Sequence, residues 1–467
     1  MKIKVTGTQN PLILNEFAVI NQGFFDDWSF VENNADLEIT LSPALENDKE
    51  SCLKYYFQTL TKYAQTTQPW GLLNGMRPTK LVHSQKKKGV CDDEIRRVFE
   101  ARYFISEAKM DLLLRVANEQ LSVLPDLHHL ENEISLYIGI PFCPTRCAYC
   151  TFAAYAHAPH QKWVAPFLAA LLEEIKLIGA HLKEKAIKVT TIYLGGGTPT
   201  MLTTDELNEV LTALATHIAP SSELREMTVE AGRPDTITRE KLQLLKDRDI
   251  QRISINPQSF NQKTLDAIGR HHTVDAVFQT FKLAKEIGIS NVNMDVIVGL
   301  PGEDLQQLQH SLSQLEQLQP ESLTSHMLAF KRKSEMSNER GLYAVASKHE
   351  LGQMAQATYD FAAGQQYIPY YLYRQKNIAA NLENIGYAKS GHACLYNILM
   401  MEEAQNILGL GVGASSKFLI GESVHNPKDL RTYIENVASY AQKKLDRLEL
   451  SMKMGAKSFT YNPPLVK

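Results

Sequence analysis

The stretch that decides the reading is YIGIPFCPTRCAYCTF, residues 137–152. It begins inside ISLYIGI (134–140), an apolar run with the length and composition of a buried strand. The run ends at Pro141, and the chain enters a loop that carries Cys143, Cys147 and Cys150 in the spacing Cys-x3-Cys-x2-Cys. Three soft thiolates on one short loop suit an iron–sulfur cluster, copper(I) or zinc. A structural zinc, or a cluster closed by protein alone, wants a fourth ligand. No fourth cysteine is near, because Cys52, Cys91 and Cys394 are scattered in the manner of inert core thiols. His157 and His160 could complete a zinc site, and that alternative stays open. Three cysteines on a four-iron cubane instead leave one iron uncovered, and an exogenous ligand can bind there.

Outward from the loop, short β-rich runs alternate with longer amphipathic ones. The runs at 134–140, 190–194, 226–230, 251–255, 291–298 and 322–328 predict six strands. Between them, 163–182, 205–218 and 304–318 repeat apolar residues at three and four and predict helices. Repeated β-α units imply an α/β fold with a parallel sheet, closed as a barrel or left partly open, whose chemistry lies at the carboxyl ends of the strands. Several polar residues fall there. YLGGGTPT (193–200) follows the second strand with Gly195, Gly196, Gly197 and Thr198, where missing side chains allow a ligand to approach the backbone. VEAGRPDT (229–236) ends the third with Glu230, RISINPQSF (252–260) ends the fourth with Gln258, and NMDVIVGLPGE (293–303) carries Asp295 in the fifth.

Residues 1–125 read differently, as a separate α+β domain with strands at 2–6 and 36–41 and helices near 50–65 and 91–122. Pro125 and DLHHLEN (126–132) make a linker to a core at 134–330, and 331–467 form an extension in which the regular alternation weakens. Within the first domain WGLLNGMRPTKLVH (70–83) gathers Trp70, Arg77, Lys80 and His83, read as a turn before a solvated charged segment rather than an anion loop. The chain has 467 residues, 44% apolar and 22% charged, which excludes a small disulfide-stapled scaffold and a disordered chain. Its net charge of −3 creates no global field for nucleic acid. Neither an amino-terminal leader nor an apolar run of spanning length is evident, so the expected compartment is the cytoplasm.

The cysteine spacing directly after the first strand of a β-α repeat resembles the signature of the radical S-adenosylmethionine (SAM) enzymes. That resemblance implies a partial (β/α) barrel, a 4Fe-4S cluster on Cys143, Cys147 and Cys150, and SAM chelating the uncovered iron. One electron from the cluster would split SAM and give a 5′-deoxyadenosyl radical. The strand-end residues together resemble the oxygen-independent coproporphyrinogen III dehydrogenase family, over roughly residues 134–420. Carried over by position, Tyr137 would flank the cluster-bound SAM, Gly196 would touch it and Glu230 would bind its ribose, with Gly195 a further SAM-binding candidate. A second SAM would meet Tyr149, Gly197, Thr198, Gln258, Arg270 and Asp295. RPTKLVH (77–83), PYYLYRQKN (369–377), ENIGYAKSG (383–391) and CLYNILMMEE (394–403) resemble the HemZ branch, which adds an N-terminal domain to this core. ILGLGVGASSKF (407–418) matches the glycine-rich turn that the family places near SAM.

What the resemblance implies is oxidative decarboxylation of two propionates of coproporphyrinogen III to vinyl groups, with a ferredoxin or flavodoxin as reductant and a separate terminal electron acceptor. Lys331, Arg332 and Lys333, after the sixth strand, are candidate hosts for the substrate's carboxylates. Two positions depart from the dehydrogenase pattern: Phe152 replaces a cysteine, and Gly139 replaces a histidine. The family's heme-chaperone branch shares the aromatic at 152 but has His-Asn-x-x-Tyr-Trp where this chain has LYNILMM (395–401). A heme-binding chaperone and a radical SAM enzyme on another substrate are therefore the alternative readings.

Overall fold

The computed structural model describes residues 1–455 apart from 26, 74, 331–333 and 376–377, so the triad Lys331, Arg332 and Lys333 lies outside the described residues. Contacts divide the chain into two units, the described residues of 1–118 with 372–376, and those of 119–371 with 377–455.

In the smaller unit β1 (Lys2–Thr6) pairs in parallel with β2 (Ser29–Phe30) and β3 (Leu37–Thr40). Ile3 and Ile39 point from this sheet into a core with Ile13, Phe17 and Ile20 of the helix Pro11–Phe24 and Leu53, Tyr56 and Leu60 of the helix Lys49–Ala64. Phe17 and Tyr56 stack at 3.7 Å, and the buried Tyr56 hydroxyl is satisfied by Asn21 Oδ1 at 2.9 Å. The single helix expected over 91–122 is two, Asp92–Tyr103 and Glu107–Val123. The break has a cause outside the segment: the Tyr103 carbonyl accepts from Leu72 N–H at 2.7 Å, and Phe104 turns left-handed and stacks on Phe57. The charged segment after Trp70 forms the helix Thr79–Lys86.

The larger unit is an α/β layer built on one mixed sheet. Six strands follow one another in parallel: β4 (Ile134–Ile140), β7 (Val189–Gly196), β8 (Glu226–Gly232), β9 (Arg252–Ile255), β10 (Val292–Val298) and β11 (Ser322–Met327), while β5 (Phe142–Cys143) and β6 (Tyr155–Ala156) pair separately. These are the six predicted runs, nearly all buried along their length because helices cover the sheet. The later chain extends the same sheet. β14 (Asn406–Gly411) joins β4 in parallel on its free side, β13 (Asn384–Ala388) runs antiparallel to β11, and β12 (Ile368–Tyr373) follows β13. The order β12-β13-β11-β10-β9-β8-β7-β4-β14 is an open sheet, a partial barrel.

The turn after β14 is fixed from behind. Glu174, fully buried on the helix Val164–Glu184, accepts from Gly411 N–H at 2.8 Å, from Tyr433 Oη at 2.7 Å, from Asn426 Nδ2 and from the buried Lys444 ammonium. Lys444 also donates to Gly409 O at 2.9 Å. Gly411 therefore lies against β4 so closely that a Cβ there would stand 2.2 Å from Gly139 O. Around Gly139 itself the carbonyls of Val412 and Leu410 stand 3.3 and 3.4 Å from the position of a Cβ, so a side chain at 139 would meet both in tight contact.

Candidate active site

The cysteine loop leaves β4 at the carboxyl end of the sheet and is pinned by backbone on both sides. Gly197 N–H donates to Ile140 O at 2.7 Å and Thr198 N–H to Phe142 O at 2.8 Å, so the glycine turn after β7 grips the loop's entry. That grip needs glycine: a Cβ at 197 would stand 2.6 Å from Phe142 O and 3.0 Å from Cys143 Sγ. Deeper in the loop, Ala148 N–H bonds Ile268 O at 3.0 Å, Thr145 Oγ1 bonds Gly269 O at 2.8 Å, and Cys150 N–H bonds Cys147 O at 3.0 Å. Cys143 Sγ lies 3.4 Å from Thr198 Oγ1. Burial, with the neighbouring Cys150 and Cys147, pushes the Cys143 thiol up to about 11. Two guanidiniums reach the middle cysteine, Arg233 Nη1 and Arg270 Nη1 each 3.9 Å from Cys147 Sγ.

Beside the loop, side chains from adjacent strands meet on one face. Tyr137 and Tyr193 are register partners on β4 and β7, stacked at 6.3 Å, and Tyr396 stacks on Tyr193 at 4.7 Å. Tyr193 Oη donates to Glu230, whose other oxygen accepts from Asn256 Nδ2 at 3.0 Å. Asn256 Oδ1 in turn accepts from Asp295 N–H at 3.2 Å. Asp295 lies 3.5 Å from His326 and accepts from Asn293 at 2.8 Å. The two carboxylates are pushed apart: burial and the charge of Asp295 raise Glu230, whereas for Asp295 burial is outweighed by His326, Asn293 and Thr324, which lower it. Such a divided pair is a mark of functional sites.

Of the sequence-predicted residues, Cys143 and Cys147 meet Thr198 and Arg270, while Tyr137, Glu230 and Asp295 share the neighbouring network. Cys150 and Tyr149 lie on the same loop; Tyr149 packs with Ala148, Ile268 and Ile297, and burial followed by Cys147 raises its hydroxyl. Gln258 sits in the left-handed region (φ +67°), with its backbone N–H on Asp295 O at 2.9 Å and its carbonyl accepting from Ile297 N–H at 2.9 Å, so its backbone ties the end of β9 to β10. Gly195 lies under Tyr137, a Cβ there standing 3.3 Å from the ring, and Gly196 takes φ +103°. Arg270 is held inward, donating also to the carbonyls of Asn256 and Gly232. His160 is engaged by Ala156 O at 2.8 Å and His157 lies edge-on to Phe142, and among the described residues no group of three His, Cys, Asp or Glu side chains could hold a metal ion. Sequence reading missed Tyr193, Asn256, Arg233 and His326. Each stands two or three residues from a quoted strand-end residue or on the same face, and the alternation of polar residues along β7–β11 was the available signal.

Residues 137–315 match the radical SAM superfamily. The chain is 46% identical, over 88% of its length and 83% of the relative's, to the oxygen-independent coproporphyrinogen-III oxidase-like protein HemZ of Bacillus subtilis. The chain belongs to the radical SAM superfamily, in the coproporphyrinogen-III oxidase-like family. It is also 30% identical to the heme chaperone HemW of B. subtilis, over 65% of this chain and 76% of that one. The fold matches coproporphyrinogen III oxidase (HemN) from Escherichia coli with a TM-score of 0.54 at 22% identity, covering 70% of this chain and 73% of that one.

The cofactors of radical SAM proteins are a 4Fe-4S cluster and SAM. The loop fits the first by its donor set, three thiols and no fourth, with two buried cations at the middle sulfur. A cubane binds its thiolates to three different irons, so it does not ask them to converge on one point as a single ion does. The polar face beside the loop, with a raised carboxyl and the acceptor oxygens of Glu230 and Asp295, suits a zwitterionic nucleoside such as SAM.

Proposed function

We propose that this protein is an oxygen-independent coproporphyrinogen III dehydrogenase that converts two propionates to vinyl groups, giving protoporphyrinogen IX for heme biosynthesis in the cytoplasm. No helix among the described residues is long and apolar enough to cross a membrane. In this reading Cys143, Cys147 and Cys150 hold the cluster. Tyr137, Gly195, Gly196 and Glu230 hold the SAM bound to it, and Tyr149, Gly197, Thr198, Gln258, Arg270 and Asp295 serve a second. When bound and reduced, the cluster supplies the electron that cleaves SAM to the 5′-deoxyadenosyl radical. The chain's own residues bind and orient: Glu230, fixed between Tyr193 and Asn256, offers acceptor oxygens to a ribose, and the close packing at Gly197 holds the strand end against the cysteine loop. Each turnover removes a hydrogen atom from a propionate β-carbon, and the substrate then loses one electron to an acceptor as carbon dioxide leaves.

The observation that carries the reading is the meeting of the three-cysteine loop with Thr198 and Arg270, next to the Glu230–Asn256–Asp295 network, in a chain so similar to HemZ. A second reading, the heme chaperone, is favoured by Phe152, the aromatic that resembles the chaperone branch, which is 61% exposed beside the cysteine loop. Reconstituted protein with SAM, a ferredoxin or flavodoxin system, an electron acceptor and coproporphyrinogen III should form vinyl products that vanish in Cys147→Ala. Stoichiometric heme binding with the porphyrinogen left unconverted would replace the first reading by the second.

A further inference from the structure

Arg233 lies in the turn after β8, and Arg270 follows the helix Gln262–Ala267. They approach Cys147 Sγ from these two elements, each at 3.9 Å. Both are buried, 3% and 6% exposed. Arg233 is locked in place: Asp235 takes its Nε and Nη2 at 3.2 Å each, and Nη1 also reaches Thr145 Oγ1 at 3.2 Å. Arg270 is locked by the carbonyls of Asn256 and Gly232. Holding two cations out of water costs several kcal/mol each, and one carboxylate, Asp235, a third exposed, is the only ion pair either makes among the described residues. Beyond these partners, each directs one N–H at the sulfur they share.

We propose that Arg233 and Arg270 form a cationic clamp on Cys147 that makes the cluster on this loop easier to reduce. The proposal rests on the assignment of Cys143, Cys147 and Cys150 as cluster ligands. Reduction adds one electron, delivered by a low-potential one-electron donor such as a reduced flavoprotein or iron–sulfur protein, and no bond is made or broken. The added negative charge is stabilised by hydrogen bonds to the ligand sulfur and by buried positive charge, which a low dielectric leaves unscreened. Asp235 opposes the effect weakly because solvent screens it, so its main part is to aim Arg233. The turn GRPD (232–235) thus carries a positioning residue for the cluster, and the milder the potential it sets, the wider the range of donors that can serve.

The test is a redox titration of the anaerobically reconstituted protein, followed by the spectrum of the reduced cluster. Arg233→Gln keeps the length and removes the charge, and the reduced-to-oxidised ratio at a fixed applied potential should fall at least tenfold, a downward shift of about 59 mV for a one-electron couple. Arg233→Lys should recover at least half of it. Full iron content in Arg233→Gln with an unmoved midpoint, or an equal shift in Arg233→Lys, overturns the proposal. Should Arg233→Gln lose iron, Arg270→Gln decides: removing the second cation at Cys147 should lower the midpoint in the same direction, and an unmoved midpoint overturns the clamp. A wild-type protein that takes up no cluster would instead defeat the cysteine assignment itself.

Discussion

Two glutamates in the larger unit face opposite fates. Glu174 is fully buried, and Gly411 N–H, Tyr433, Asn426 and Lys444 occupy its oxygens. Glu230 accepts from Tyr193 and Asn256, faces another carboxylate, and keeps partial exposure. A buried charge whose every lone pair is answered by the protein has nothing left for a ligand and serves the fold. A carboxylate that burial and a like charge push upward is held at a cost that a ligand's donors can offset. Buried atoms without a hydrogen-bond partner occur on both sides, Asn426 Oδ1 beside Glu174 and, near the cysteine loop, Arg270 Nε and both ring nitrogens of His272.

The largest expected effect breaks the first network. Lys444→Met leaves Glu174 buried with its cation gone, and removing one partner of a buried pair costs about 3–5 kcal/mol. The urea midpoint should fall accordingly. If Lys444→Met is as stable as wild type, Glu174 is not the structural charge that the comparison makes it.

Next comes Glu230→Gln, where the order of effects should reverse. Stability should change little, while SAM affinity weakens by roughly 1.5–3 kcal/mol as a charged acceptor is lost. Because the Glu230 carboxyl is raised, SAM binding by wild type should also decline on acidification at a higher pH than an ordinary carboxylate would dictate. Isothermal titration across pH 5 to 8 with both proteins reads the two effects. Unchanged affinity in the variant would move Glu230 to the structural side.

His272 gives the pH-dependent case. Burial, then Arg270 and Arg233, hold its imidazole down to about 3, while the unfolded chain titrates near 6.5. The unfolded state therefore binds more protons between those values, so stability falls as pH drops below about 6.5 and levels off near 3. At pH 5 the loss from this residue is roughly 2 kcal/mol. His272→Gln, which cannot titrate, should show a shallower decline in denaturant midpoint between pH 7 and 5, and parallel slopes would show that His272 is protonated in the fold.

The two networks were unequally legible. The cysteine spacing stands in consecutive sequence, and six strands declared themselves as apolar β-branched runs, so the repeat, the loop and the strand-end residues could be read locally. Glu174 could not: it looks like any charge on an amphipathic helix, and its partners Gly411, Asn426, Tyr433 and Lys444 come from the far end of the chain. For the same reason β14 beside β4, and β13 beside β11, were not foreseen, since pairing is decided by packing across long separations. Tyr193 and Asn256 were missed because register, not composition, brings them to Glu230.

The smallest expected effect on stability, and the sharpest on function, belongs to Phe152. Two residues beyond Cys150, it is 61% exposed, so the fold gains little from its ring. An apolar side chain left in water at the rim of a site is there for a reason outside the fold, or for none. Phe152→Cys should keep iron content and shift stability by no more than about 0.5 kcal/mol. Its consequence should appear in turnover. If the missing cysteine is what slows decarboxylation, the variant forms vinyl products faster than wild type while SAM cleavage without substrate stays the same. If the ring instead serves heme, the variant loses heme affinity and gains no turnover. A large loss of stability would place Phe152 with Glu174, among the residues that the fold uses.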